Sequence, residues 1–331
     1  MWFRNIFRRP NNQQPAINNQ QSTGDQPTLN LPPSIYRLLD RLQLRASRHL
    51  RGTGAGLRPS SRRRPAAEFL EHRQYVPGDD VRFVDWTASA RSEHIYLKQG
   101  EQPQETTVHI LIDTSASMAW GNPQKSQAAL QLAAALGYLT LTNEDRLQLI
   151  PLENPRPSES IRIQSFKGKA QFPALLNHLL TLPFDAAQSK PFQGKTDLAQ
   201  NLRAFNRTSP RGGILLILSD LLDVHDLPAA LATLPRPTWE VTVFHLLHPH
   251  ELHPLINGQF ELMDAETGQS TNYDITPQAL EGYRKNLQTW RDAIELACIE
   301  NKAFYTLIPT NWSLEKEVIP HLRKVRVLEP I

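Results

Sequence analysis

One cysteine stands in 331 residues. Cys298 has no partner, which excludes a disulfide framework and any Cys-based metal site. Its place in an apolar helical pattern makes it a core residue of a reducing compartment. Long apolar runs are missing too: the Ala- and Leu-rich stretch 128–141 falls short of the roughly 18 residues a spanning helix needs, and Gly137 interrupts it. The first ten residues, Met-Trp-Phe-Arg-Asn-Ile-Phe-Arg-Arg-Pro, lack the continuous apolar core of a secretion signal. A cytoplasmic protein with no membrane span is therefore expected. Charge of one sign is also in short supply. A net charge of +3 is too small to imply a nucleic-acid partner, and much of it is local, since the arginines between Arg41 and Arg64 read as a solvated basic arm.

What is present is enough apolar residue, 40%, to bury a sizeable core in one large domain with an accessory segment. Residues 1–34 read as a disordered polar tail, because 11–33 are rich in Asn, Gln and Pro. Residues 35–105 form the accessory segment: an amphipathic helix over Ile35–Leu50, a Gly- and Arg-rich linker over Gly52–Pro65, and a β segment within Glu68–Lys98. In that segment Val81, Phe83 and Trp86 are expected to face a core, while the alternating Arg and Asp residues brace it as internal ion pairs. Residues 106–331 alternate strands with helices. Buried strands are expected at Val108–Asp113, Arg146–Leu152, Gly213–Ser219 and Trp239–Leu247, with a more exposed one at Ile161–Phe166 and a last one at Ala303–Ile308. Helices are expected at Lys125–Thr142, Phe172–Leu182, Leu198–Phe205, Leu227–Leu234 and from Pro277 to Asn301, the last capped by Thr276. A hairpin insertion is expected near 258–273, with Glu266-Thr-Gly268 at its tip. The fold class is α/β, a doubly wound and mostly parallel sheet.

The β-branched run Val108-His-Ile-Leu-Ile ends abruptly in Asp113-Thr-Ser115-Ala-Ser117. A buried parallel strand delivers such residues to the carboxyl edge of the sheet, where open α/β folds bind ligands. One carboxylate and two hydroxyls on alternate residues make a hard-oxygen set suited to Mg²⁺ or Mn²⁺. Alone, the cluster is equally well read as turn and N-cap chemistry for the next helix. Two later stretches favour the site: Gly194-Lys-Thr196-Asp-Leu198 lies in a loop before a helix, and Leu218-Ser-Asp220 ends a buried strand at the same sheet edge as Asp113.

Other chemistries find less support. Gly194-Lys195-Thr196 ends like a P-loop, but Ser189 stands where the first glycine belongs. Ser115 lacks the Gly-x-Ser-x-Gly elbow of a hydrolase nucleophile. The tract of His245, His248, His250 and His253, broken by Pro249 and Pro254, reads as a loop rather than a transition-metal site.

The motif Arg73-x-Tyr-x-Pro-Gly-Asp-Asp-x-Arg82-x-x-Asp85-Trp86, then Ala90-Arg91, then an apolar strand ending Asp-x-Ser-x-Ser-Met, resembles the DUF58 family. The second half of that family resembles a von Willebrand factor A domain. The resemblance implies a metal-ion-dependent adhesion site: Asp113, Ser115 and Ser117 match its first loop, Thr196 its second and Asp220 its third. It further implies Ser115 and Ser117 as direct ligands, Thr196 as a direct or water-mediated one, and Asp113 and Asp220 holding the metal largely through water. The implied role is a non-enzymatic scaffold whose metal captures an acidic group of a partner, a MoxR-type AAA+ ATPase, in complex assembly or maturation. A metal-dependent hydrolase using the same cation is the alternative.

Overall fold

The computed structural model describes residues 5–8, 29, 31–45, 71–99, 106–152, 163–182, 184, 198–209, 212–222, 226–234, 238–254, 258–264 and 270–331. In chain order the elements begin with β1 (Asn5–Arg8), α1 (Pro33–Leu39) and β2 (Leu42–Leu44). They continue with β3 (Glu71–Gln74), α2 (Trp86–Ser89) and β4 (Tyr96–Gln99). Then come β5 (Thr107–Asp113), α3 (Lys125–Thr142), β6 (Arg146–Leu152), β7 (Gln164–Lys167), α4 (Phe172–Leu180), α5 (Leu198–Thr208), β8 (Gly213–Ser219) and α6 (Leu227–Ala232). The chain closes with β9 (Trp239–Leu247), α7 (Pro249–Leu252), β10 (Gly258–Asp264), β11 (Ser270–Ile275), α8 (Pro277–Glu300), β12 (Phe304–Pro309), α9 (Ile319–Lys324) and β13 (Leu328–Pro330).

The described residues up to Arg45 and from Thr106 onward form one compact unit, and those between 71 and 99 belong to a second. At the heart of the first lies a six-stranded sheet in the order β12-β9-β8-β5-β6-β7. All neighbours run parallel except β7, which pairs antiparallel with β6. The long helices and the four inner strands match the expected spans closely, because apolar runs bounded by polar breaks leave little freedom in where a buried strand starts and stops. Alternate strand residues point to opposite faces. One face, carrying Leu111, Leu215, Ile217 and Val243, packs with residues of α5, α6 and α8. Cys298 lies inside that cluster, fully buried as a free thiol, and burial pushes it up to about 12. The opposite face is left to α3, whose residues are buried almost from end to end. A helix clothed by protein on most sides needs no polar face, and its sequence has little amphipathic contrast.

One expectation is corrected here. The N-terminal helix stops at Leu39 instead of continuing to Leu50. After it Leu42 and Leu44, buried on either side of Gln43, form a strand antiparallel to β13. A three-residue strand is too short to show its period in the sequence, so the leucines pass for a helical stripe. The insertion after β9 is a hairpin as expected, β10 with β11, and β1 adds to it as a third strand. Its expected tip, Glu266-Thr-Gly268, and the polar stretch 11–28 lie outside the described residues. No helix among the described residues is long and apolar enough to cross a membrane.

In the second unit β3 and β4 pair antiparallel. Arg73 bridges Asp79 at 2.7 Å and Arg82 bridges Asp80 at 2.6 Å, so the acidic and basic residues of the motif do satisfy one another. Asp85 accepts from the Thr87 and Ala88 amides at the start of α2 and lies 2.9 Å from His72 Nε2. Two members of the expected core set, Val81 and Trp86, are corrected, and the side chain of Phe83 lies outside the described residues. Val81–Phe83 is a 3₁₀ turn, Val81 is 57% exposed and Trp86 67%, while Val84 is buried. A tight turn rephases the side chains, and a period of two no longer applies.

Candidate functional site

Strand β5 is central because the chain leaves it toward β6 on one side and returns with β8 on the other. The β5/β8 boundary is therefore the point where strand order reverses, the place where open α/β sheets bind their ligands. Asp113 is the last residue of β5 and Asp220 follows the last residue of β8. Ser115 and Ser117 stand in the loop and 3₁₀ turn that follow β5. The structure thus brings Asp113, Ser115, Ser117 and Asp220 together, all buried. Thr196 lies outside the described residues.

The local bonds are specific. Asp113 Oδ1 accepts from the Ser115 amide at 2.9 Å, and its Oδ2 accepts from the Ser219 hydroxyl. The Ser115 and Ser117 hydroxyl oxygens are 3.0 Å apart. Asp220 Oδ1 accepts from the Leu222 amide at 3.2 Å, and Ser117 also donates to this carboxylate. The remaining oxygen, Asp220 Oδ2, accepts from Lys125 Nζ at 2.7 Å. The same ammonium donates to Glu251 Oε1 at 2.7 Å, and Glu251 Oε2 accepts from the His248 amide at 2.6 Å.

Burial, and then the charge of Asp220, push the Asp113 carboxyl up to about 6. Burial acts on Asp220 in the same sense, but the Lys125 ammonium overrides it and holds Asp220 below the usual carboxylate range. Burial alone would strip a proton from Lys125; Asp220 and Glu251 together reverse that and keep it charged. Burial draws Glu251 upward, yet both its oxygens accept from donors, the pattern of an ionised carboxylate.

Sequence reasoning missed Ser219, Lys125 and Glu251. A lysine as the first residue of an apolar helix was the available signal, since a cation is disfavoured at the positive end of the helix dipole and needs a reason to be there. Glu251 was hidden inside the histidine tract. His245 is not in a loop: it is buried in β9, where Nε2 donates to the Asp220 carbonyl at 3.1 Å and Nδ1 accepts from the Tyr305 hydroxyl at 2.9 Å. His248 caps α7, accepting from the His250 amide at 3.2 Å. Among the described residues, no group of three or more His, Cys, Asp or Glu side chains converges as a metal site. The donors that could hold a small hard cation are two hydroxyls and two carboxylates.

Residues 71–292 match the family described as "Protein of unknown function DUF58". The chain is 27% identical over 259 residues to the "Uncharacterized protein Rv1480" of Mycobacterium tuberculosis H37Rv and to the "Uncharacterized protein Mb1516" of Mycobacterium bovis, covering 76% of this chain and 78% of each relative. Among solved structures, the conserved hypothetical protein BatB from Bacteroides thetaiotaomicron aligns with a TM-score of 0.38 at 14% identity, over 66% of this chain and 98% of that one. The pilus adhesin SpaC from Lactobacillus rhamnosus GG aligns with a TM-score of 0.22 at 14% identity, over 68% of this chain and 28% of its own. With well over half of its length inside the family match, the chain belongs to the DUF58 family.

Proposed function

We propose that the chain is a non-enzymatic interaction scaffold with a von Willebrand factor A-like domain, and that its metal-ion-dependent adhesion site captures an acidic group of a protein partner. The single observation behind this reading is the convergence of Asp113, Ser115, Ser117 and Asp220 at the sheet's switch point. Adjacent ligands of an octahedral ion with bonds of about 2.1 Å lie roughly 3 Å apart, and the two serine hydroxyls are 3.0 Å apart. Two buried carboxylates close enough to raise Asp113 also favour a bound cation over mutual repulsion. A bound Mg²⁺ or Mn²⁺ supplies an electrophilic position that a partner carboxylate fills. Ser115 and Ser117 offer their hydroxyls to it, Asp113 and Asp220 anchor it, and Ser219 holds Asp113 in orientation. Thr196 is the proposed fifth member. The family resemblance supports a MoxR-type AAA+ ATPase as the partner.

A hydrolase built on the same cation needs a base to activate water. Among the described residues around the hydroxyls, Asp113, Asp220, Glu251 and both nitrogens of His245 are engaged in the bonds above, which supports the scaffold. The test is co-purification of the ATPase with the parent and with Asp113→Ala, with and without chelator, beside a phosphatase, nuclease, esterase and peptidase screen. We expect metal-dependent capture that Asp113→Ala loses at least tenfold. Turnover by the isolated parent that vanishes in the variant would replace the scaffold with the hydrolase, and capture unchanged by the variant and by chelator would remove the metal from the interface.

A further inference from the structure

A buried lysine bonded to a carboxylate of the proposed cation site is the feature that the adhesion reading leaves unexplained. Lys125 is 1% exposed and opens α3. The exposed amide groups of that helix end repel a cation, and the desolvation of an ammonium is costly. Helix formation would be served as well by a neutral residue. What holds the charge in place is a pair of 2.7 Å bonds to carboxylates from two different elements, Asp220 after β8 and Glu251 in α7. Glu251 is in turn fixed by its bond from the His248 amide, and its own carbonyl accepts from the Tyr283 hydroxyl at 2.7 Å. The ammonium is therefore clamped, and it occupies one of the two oxygens of a proposed metal-anchoring carboxylate.

Resting on the proposed cation site, we infer that Lys125 is a tethered internal cation that competes with the metal for Asp220, keeping metal binding weak and the bound metal undercharged. The charges make the case. Asp113, Asp220 and Glu251 contribute three negative charges in one buried region, and Lys125 returns one. Without Lys125, a divalent ion would meet Asp220 undivided and bind tightly, with little residual charge to attract a further carboxylate. With Lys125, the hydroxyls of Ser115 and Ser117 and the carboxylate of Asp113 dominate the cation's surroundings, and an acidic group from outside becomes a favourable additional ligand. Lys125 is a positioning residue in this account: it acts through its bond to Asp220.

The direction of the effect separates this role from a structural one. If Lys125 only braced the loops, its removal would loosen the site and weaken metal binding. As a competitor, its removal strengthens binding. The experiment is calorimetric titration of the full chain with Mg²⁺ and Mn²⁺ alone for the parent, Lys125→Met, Glu251→Gln and Asp113→Ala. Methionine keeps the length of the lysine stem without its charge. We expect Lys125→Met to melt lower than the parent without metal, to regain that stability in metal, and to bind at least tenfold tighter. Glu251→Gln, which keeps the ammonium but removes the charge of its second anchor, should bind at least threefold weaker, because more of the ammonium's charge then falls on Asp220; equal or tighter binding by this variant overturns the inference even if Lys125→Met fails to fold. Equal or weaker binding by Lys125→Met, or equal or tighter binding by Glu251→Gln, overturns the inference. Metal binding that Asp113→Ala abolishes but Lys125→Met leaves unchanged would sink this inference alone, leaving the adhesion site standing. No binding by the parent at 10-millimolar order with binding by Lys125→Met would uphold the competition while removing the metal from the parent's function, and no binding by either would end both.

Discussion

His109 shows most plainly how a single residue couples this fold to its solvent. It lies within β5 with Phe205 and Trp239 rings each 5.0 Å away. Gly212 and Gln148 approach its ring, but neither nitrogen closes a hydrogen bond. Burial depresses it to about 4. The folded protein therefore holds this histidine neutral while the unfolded chain protonates it below about 6.5. The contribution to stability is complete above pH 6.5, falls as pH drops through the window from 6.5 to 4, and levels off below that. The parent should lose about 3 kcal/mol more than His109→Phe between pH 7 and pH 4. Urea unfolding of both proteins across that range measures the difference, and parallel pH profiles would refute it. Ser219 is a second instance of single-residue control: its hydroxyl holds Asp113 while accepting from the Leu221 amide at 2.9 Å, so one small side chain ties the ends of β5 and β8 together.

Among the elements, β8 is the one with least tolerance. It pairs with β5 on one side and β9 on the other, and all seven of its residues are buried. It opens at Gly213, whose φ of +144° is a conformation that residues with a Cβ rarely adopt. An added Cβ would run into the backbone carbonyl oxygen of Thr107. Backbone cannot give way as a side-chain tip can, so Gly213→Ala should cost on the order of 3 kcal/mol, strain and overpacking together. Chemical denaturation checks this, and a loss below about 1 kcal/mol would show that the strand edge can move. The same strand ends in Ser219 and delivers Asp220, so under the adhesion reading metal affinity should fall along with stability. Helix α8 is less exacting. Thr276 caps it by accepting from the Ala279 amide at 3.2 Å, and its exposed Leu296 and Ile299 lie outside the core cluster that Ile294, Ala297 and Cys298 join.

For the whole molecule, the adhesion reading makes stability a function of metal concentration. A site that binds in the millimolar range and only in the folded state should contribute about 1.4 kcal/mol at a tenfold excess over its Kd, a rise in Tm of roughly 3 °C for a unit of this size. Chelator should reverse the gain and Asp113→Ala should abolish it. No shift in metal-stripped parent at 10-millimolar order would count against the site.

The amino-acid sequence by itself determined the parallel sheet, because β5, β6, β8 and β9 are apolar runs of seven to nine residues separated by helical periods. It also located four residues of the candidate site, since Asp113, Ser115, Ser117 and Asp220 sit at or just after strand ends where the topology leaves one edge for them. Tertiary structure alone decided the rest. Leu42 and Leu44 pass for a helix until β13 pairs with them from the far end of the chain, and Val81 and Trp86 pass for core until a 3₁₀ turn rephases them. Lys125 meets Asp220 and Glu251 across 95 and 126 residues of sequence, and no local pattern encodes that meeting. A side chain's neighbours in sequence set its periodicity, whereas its charge is stabilised only by what the folded chain brings within hydrogen-bonding distance.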